Sequence, residues 1–332
     1  MNEASSKYVD QIATEKLIQE KLSRVHHAPN GAYPSDLVSL NDFNCLPKLP
    51  ETVVERQDGK NLLLSFSSAV VTSDTDNNLV QCIAYLSEES RGALVFVHGL
   101  FEDNLQIYNF FISLLKEQGL DVYLMMLPYH YNRMPAGSVF SGEFFFSGNL
   151  LRSALAYKQA VYDLYQLQQW VSQRSGRPAW IVGFSMGGGI TLTLAALTGL
   201  PGVFAVNPVC NISRLVWTSA LFAPIRQDLE GSGIGLGRIE MHYAAFEPLN
   251  ANPIRTDLAH IVLGRSLYDQ INDPANYDRL VENWKLQNVI PYKAGHLNVL
   301  RAPRLAMDVV SAIAGKNPSE VSMMHRFEGE PD

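Results

Sequence analysis

The stretch Ala179-Trp180-Ile181-Val182-Gly183-Phe184-Ser185-Met186-Gly187-Gly188-Gly189-Ile190 carries the information that decides the fold. AWIVGF (179–184) predicts a buried strand, and the small-residue run 186–199 predicts a helix, with Ser185 at the junction. Gly183-Phe184-Ser185-Met186-Gly187 fits G-x-S-x-G, in which a strand turns sharply into a helix and presents the serine oxygen. Glycines two residues either side of the serine remove Cβ atoms that would collide with the neighbouring strand and helix. The helix N-terminus behind the serine favours negative charge developing there. The plainer reading is a glycine-rich helix start whose serine merely caps the helix.

Between Trp180 and Cys210 there is no charged residue, a length that would span a bilayer. The glycines 187–189, Pro201 and the polar residues Ser185, Thr191, Thr193 and Asn207 oppose that reading. A buried strand–helix–strand unit accounts for the same composition, because parallel strands are covered on both faces.

The pattern continues in both directions. Strand 93–97 (ALVFV) precedes a helix over 105–118, whose apolar residues Ile107, Phe110, Phe111, Leu114 and Leu115 recur at helical spacing up to Gly119. Strand 121–127, an aromatic loop over 128–150 and a helix over 151–175 lead to the serine motif. Strand 202–206 follows it. Residues 208–257 break the rhythm and suit an inserted helical cap. Strand 260–264, a helix near 277–285, strand 288–294 and a closing helix over about 297–314 complete the alternation. Upstream, 62–71 and 79–87 read as an antiparallel pair at a sheet edge. The expected organisation is a helical leader (1–60) without a catalytic pattern, a doubly wound, mostly parallel α/β domain (61–315) and a loose tail (316–332).

Composition narrows the function. The 332 residues are 47% hydrophobic and 18% charged, as in an ordinary soluble globular protein. Net charge is −7 with no polybasic stretch, so no nucleic-acid partner is expected. Cys45, Cys82 and Cys210 match no zinc or redox spacing, and their odd number, with no secretory signal, fits a reducing, cytoplasmic setting. Gly231–Gly237 fails the dinucleotide spacing, and no H-E-x-x-H, EF-hand or Walker A sequence is present, so no cofactor or metal is expected.

A serine hydroxyl at its ordinary pKa needs an adjacent base. Of the eight histidines only His296 follows the last strand, where a loop brings an imidazole over the serine. His98 is better explained as bracing the loop after strand 93–97. The orienting acid should leave the preceding strand: Asp269 fits best, with Asp273 the alternative and Asp257 too early. Two backbone N–H groups should face the tetrahedral oxyanion, those of Met186 and Leu100, with Phe101 as the fallback for the second. Glu102 and Asp103 read as helix N-terminal charges.

VFVHGL (95–100), GFSMGG (183–188) and AGH (294–296) make the chain resemble the α/β-hydrolase superfamily from about Asn61 to Ala314. LPYHYNRMP (127–135) and NPVCNISRLVWTSALFAPIRQDLE (207–230) are similar to the α/β-hydrolase domain-containing protein 18 group. That group has PYYG-x-R-x-P where this chain has PYHYNRMP, so His130 and Tyr131 depart from it. The resemblance implies a cofactor-free serine hydrolase and supplies no substrate.

Tyr129, Phe144, Phe145 and Trp217 are candidate substrate-binding residues: an apolar acyl wall formed by the aromatic loop and the cap, with Leu221 and Phe222. The competing reading is that these aromatics pack the cap onto the sheet. Arg133 either binds an anionic head group or pairs with Glu143. The function expected is cleavage of a small-molecule ester, thioester or lipid, with acyl transfer as a variant. A non-catalytic binding protein on the same fold is the alternative.

Overall fold

The structure is a computed structural model that describes residues 2–27, 45–244 and 246–315. The tail expected to be loose, 316–332, and residues 28–44 of the expected leader lie outside the described residues.

Among the described residues one nine-stranded sheet runs through the molecule, comprising β1 (Val54–Asp58), β2 (Asn61–Ser67), β3 (Leu79–Tyr85), β4 (Gly92–Val97), β5 (Leu120–Met125), β6 (Trp180–Phe184), β7 (Val203–Val206), β8 (Ile261–Ser266) and β9 (Asn288–Tyr292). The spatial order is β1-β2-β3-β5-β4-β6-β7-β8-β9. Pairs β1–β2, β2–β3 and β3–β5 are antiparallel, and all later pairs are parallel. β3 alternates buried and accessible residues, as an antiparallel strand near an edge does, whereas every residue of β4, β5, β6 and β7 is buried.

Side-chain alternation in β4 divides the core in two. Ala93, Val95 and Val97 join the cluster under α3 (Leu150–Ser175) and α4 (Met186–Leu197), with Tyr157, Leu164, Ile190 and Leu194. Leu94 and Phe96 face α2 (Asn109–Glu117) and α9 (Pro303–Ile313) on the other side, against Phe111, Leu115, Leu305 and Val309. The chain leaves β4 for β5 on one flank and returns to β6 on the other. That reversal makes the carboxyl ends of β4 and β6 a switch point, where open α/β sheets place ligands.

Several expectations shift in detail. The helix expected over 105–118 is a 3-10 turn, Leu105–Tyr108, followed by α2. Its buried stripe is Tyr108, Phe111, Ile112 and Leu115, while Ile107 and Phe110 are exposed. The apolar pattern was wide enough to accommodate a face rotated by about one residue. The closing helix begins with a separate 3-10 turn, Asn298–Arg301, because Pro303 supplies a natural first helical residue. β1 falls within the segment read as leader; VERQD is exposed at all five positions, and its charges suit an unprotected sheet edge.

Two further helical regions bear on the site. α1 (Glu3–Glu20) lies upstream of the sheet. Between β7 and β8 come α5 (Ile212–Thr218), α6 (Ala223–Gly231) and α7 (Leu236–Tyr243). α8 (Pro274–Trp284) separates β8 from β9. No helix of the described residues is long and apolar enough to cross a membrane, and the charge-free 180–210 stretch is β6, α4 and β7.

Arg133 does not pair with Glu143. Its fully buried guanidinium donates to Asp163 Oδ2 (2.8 Å), to the Asn77 carbonyl (2.7 Å from Nη2) and to the Met126 carbonyl (3.0 Å). Glu143 meets His27 instead (2.9 Å). Arg133 thereby ties the 128–147 loop to β5 and α3. Replacing it by methionine removes the counter-ion of the buried Asp163, so Arg133→Met is expected to lower stability by roughly 3–5 kcal/mol. The urea unfolding midpoint measures it.

Candidate active site

Ser185 sits between β6 and α4 with φ 54° and ψ −117°, a conformation L-residues rarely adopt. Three backbone bonds hold it there. Its N–H donates to Val206 (2.9 Å), and its carbonyl accepts from Gly189 (3.1 Å) and Val209 (3.0 Å). A Cβ on Gly187 would lie 2.3 Å from the Val97 carbonyl oxygen, and one on Gly183 would lie 2.4 Å from that of Gly187. Only glycine at these positions lets α4 start this close to β4 and β6.

The imidazole of His296 lies beside the serine. Nε2 is 2.9 Å from Ser185 Oγ, and Nδ1 is 2.8 Å from Asp269 Oδ2. A carboxylate only accepts, so opposite Asp269 the tautomer with the proton on Nδ1 is assigned, which leaves Nε2 as the acceptor for the serine hydroxyl. Asp269 also accepts the N–H groups of Ile271 (2.8 Å) and Asn272 (2.9 Å) at Oδ1 and the Tyr277 hydroxyl (2.9 Å) at Oδ2. Asp273 is elsewhere: its side chain caps α8 by accepting from Ala275 N–H (2.9 Å). Burial alone would depress the His296 pKa. The charge and hydrogen bond of Asp269, with the charges of Asp10 and Glu102, outweigh it and raise the pKa above the ordinary value.

The loop after β4 supplies the other wall. His98 is fully buried, takes the Leu127 N–H at Nε2 (3.0 Å) and faces the Gly99 carbonyl with Nδ1 (2.6 Å). Burial pulls its pKa down to about 4, so it stays neutral and braces the loop. The Phe101 N–H donates to His130 Nε2 (3.2 Å), which occupies the fallback oxyanion donor. Leu100 and Met186 both line the cavity at Ser185, and Met186, the first residue of α4, has no intrahelical acceptor for its N–H. Glu102 is more than a helix-terminal charge. It accepts from the Tyr108 hydroxyl, which itself accepts the Gly99 N–H (3.0 Å), and burial pushes its carboxyl up to about 7.

The cavity above Ser185 holds about 40 Å³, room for a few water molecules. Its apolar lining includes Leu17, Val209, Leu221, Phe222, Ile271 and Leu297. Tyr129, Phe144, Phe145 and Trp217 are not among the residues that line it. Phe145 packs on His130, Phe144 lies under Arg152 (4.1 Å to the guanidinium), and Tyr129 meets Phe144 edge-on. The Trp217 carbonyl accepts from Arg226. These rings of the aromatic loop pack on their own surroundings, and the segment 208–257 reaches the serine through Val209, Leu215, Leu221 and Phe222.

Sequence reasoning missed the contribution of the first helix. Leu17 covers the cavity, Lys21 donates to the Phe101 carbonyl (2.6 Å), and Asp10 accepts the His296 N–H (2.6 Å). Asn207 was also missed; its side chain donates to the His296 carbonyl (3.0 Å) and to Ser266 Oγ (2.9 Å). Asp10, Leu17 and Lys21 belong to no local motif, so no spacing pointed to them. No group of three or more potential metal ligands exists among the described residues.

No family model and no curated protein matches the chain. Among solved structures it is similar to an acetyl xylan esterase from Paenibacillus sp. R4, at 16% identity and a TM-score of 0.55, over 88% of this chain and 98% of that one. The acetyl xylan esterase 1 of Thermoanaerobacterium sp. gives 17% identity and 0.53, over 83% and 92%. An S-formylglutathione hydrolase from Agrobacterium tumefaciens gives 13% and 0.53, over 80% and 99%. Together with the sheet order and the connections described above, these likenesses show that the chain has the α/β-hydrolase fold.

Proposed function

We propose that the protein is a serine hydrolase that cleaves a carboxylic ester or thioester through an acyl-enzyme on Ser185. The observation that carries this reading is the continuous hydrogen-bonded line Ser185 Oγ–His296 Nε2, His296 Nδ1–Asp269 Oδ2, at 2.9 and 2.8 Å. Ser185 Oγ attacks the carbonyl carbon as Nε2 takes its proton. Asp269 stabilises the imidazolium without accepting the proton itself. The N–H groups of Met186 and Leu100 receive the oxyanion, a contribution on the order of 3–4 kcal/mol to the barrier for one such donor. The imidazolium then protonates the leaving group. Water, deprotonated by His296, releases the acid and restores Ser185.

The apolar lining supports an uncharged acyl group, and the small volume supports a short one. Esterases of acetylated substrates among the structural neighbours are consistent with that size. An acetyl ester is expected to give a higher kcat/KM than a decanoyl ester of the same alcohol. The reverse order would refute the short-acyl assignment.

Ser185→Ala should abolish covalent labelling by a fluorophosphonate probe and lower esterase turnover by on the order of 10⁶. Undiminished labelling of that variant would refute the assignment of the nucleophile. Asp269→Asn, which leaves the imidazole in the wrong tautomer, should lower kcat by about 10⁴. The base must be neutral, and its folded pKa is raised, so activity should be lost as pH falls through a limb lying above 6.5, the ordinary histidine value. The pH dependence of kcat/KM for the acetyl ester locates that limb.

A further inference from the structure

Asp10 is a fully buried carboxylate on α1, 286 residues before the histidine it touches. Oδ2 accepts the backbone N–H of His296 (2.6 Å) and of Gln270 (3.2 Å), and Oδ1 accepts that of Leu297 (3.1 Å). Gln270 follows Asp269, and Leu297 follows His296. One side chain thus bridges the peptide beside the acid and the peptides of the base. Charge-assisted bonds to backbone N–H groups are about twice as strong as neutral ones, and two oxygens are needed to receive three donors.

The surroundings are shaped for this contact. A Cβ at Gly295 would lie 2.7 Å from Asp10 Oδ2 and 2.8 Å from the Ser6 carbonyl, so the glycine before His296 is what lets α1 approach. Beside it, Asn298 donates to Ser6 Oγ (3.1 Å) and accepts the Gly295 N–H (2.6 Å). Docking a helix needs no buried charge; Leu17 and Ile18 already pack on the core. A buried carboxylate is costly unless paired, and this one stands where the acid and base loops meet.

We propose that Asp10 is a positioning residue of the Ser185–His296–Asp269 site, its carboxylate fixing the base loop against the acid loop and adding a negative charge beside the imidazole. The proposal rests on the hydrolase reading above. The groups facing His296 are Asp269 from the loop after β8, Asp10 from α1, Glu102 from the loop after β4, and Ser185; Lys21 at the end of α1 faces Glu102. Removing the Asp10 charge therefore lowers the imidazole pKa and moves the acid limb to lower pH.

The test is the rate of fluorophosphonate labelling against pH for the full chain and for Asp10→Asn, Asp10→Ser, Ser6→Ala and Ser185→Ala. Asn is isosteric but offers one acceptor oxygen, and Ser leaves room for a water. Folded Asp10 variants should label roughly 10- to 100-fold more slowly, the scale of a misplaced catalytic group, with the limb displaced downward. Ser6→Ala removes the neighbouring helix–loop bond without charge and should leave the limb in place. An unchanged rate in a folded Asp10→Asn protein would overturn the proposal. So would a slower rate with an unmoved limb, or loss of folding in both Asp10 variants while Ser6→Ala folds. Failure of the unsubstituted protein to label, or equal labelling of Ser185→Ala, would instead remove the hydrolase reading, and this step with it.

Discussion

The backbone at Ser185 cannot relax. Its positive φ is maintained because β7 accepts its N–H, Gly189 and Val209 donate to its carbonyl, and α4 is pressed against the end of β4 through Gly187. Such strain persists only where neighbouring structure over-determines it. Those neighbours are β4, β7, α4 and Val209 in the buried chain just after β7, so the position of the serine oxygen is set by the most deeply buried part of the molecule. The imidazole that meets this oxygen comes from a loop at the same edge of the sheet.

These loops are held by polar side chains acting on backbone groups. His98 and His130 secure the loop carrying Leu100, Asn207 holds the carbonyl of His296, and Asp10 holds its N–H. Irregular backbone buried near a site needs such partners, because unmatched peptide groups away from water are expensive. The result is a site whose donors and acceptors are largely committed before any ligand arrives, the arrangement that electrostatic stabilisation of a transition state requires. The same commitment leaves little space: the serine is buried, with Leu17, Leu221 and Phe222 over it.

Much of the sheet and part of the site were legible from local patterns. β4, β6 and β7 are uninterrupted apolar runs because they are covered on both faces, and the G-x-S-x-G junction shows in the sequence because its geometry tolerates few residue types. Asp269 and His296 were found by their order along the chain and their place after particular strands. The aromatic loop was less legible. Tyr129, Phe144 and Phe145 look like a ligand wall in composition, but aromatic area is equally useful for packing, and the difference lies only in what each ring faces.

The sequence by itself determined the alternation of strands and helices, the sharp bend at Ser185 and the candidate base, since each depends on neighbours a few residues apart. Only the tertiary structure decided that Asp269 and not Asp273 reaches the imidazole, because the two differ by one turn of chain and by which backbone N–H groups they cap. It alone brought Asp10 and Leu17 to the site and took Arg133 into the interior with Asp163. Contacts between residues hundreds of positions apart leave no periodicity behind, because they arise from how helices and loops pack on a finished sheet.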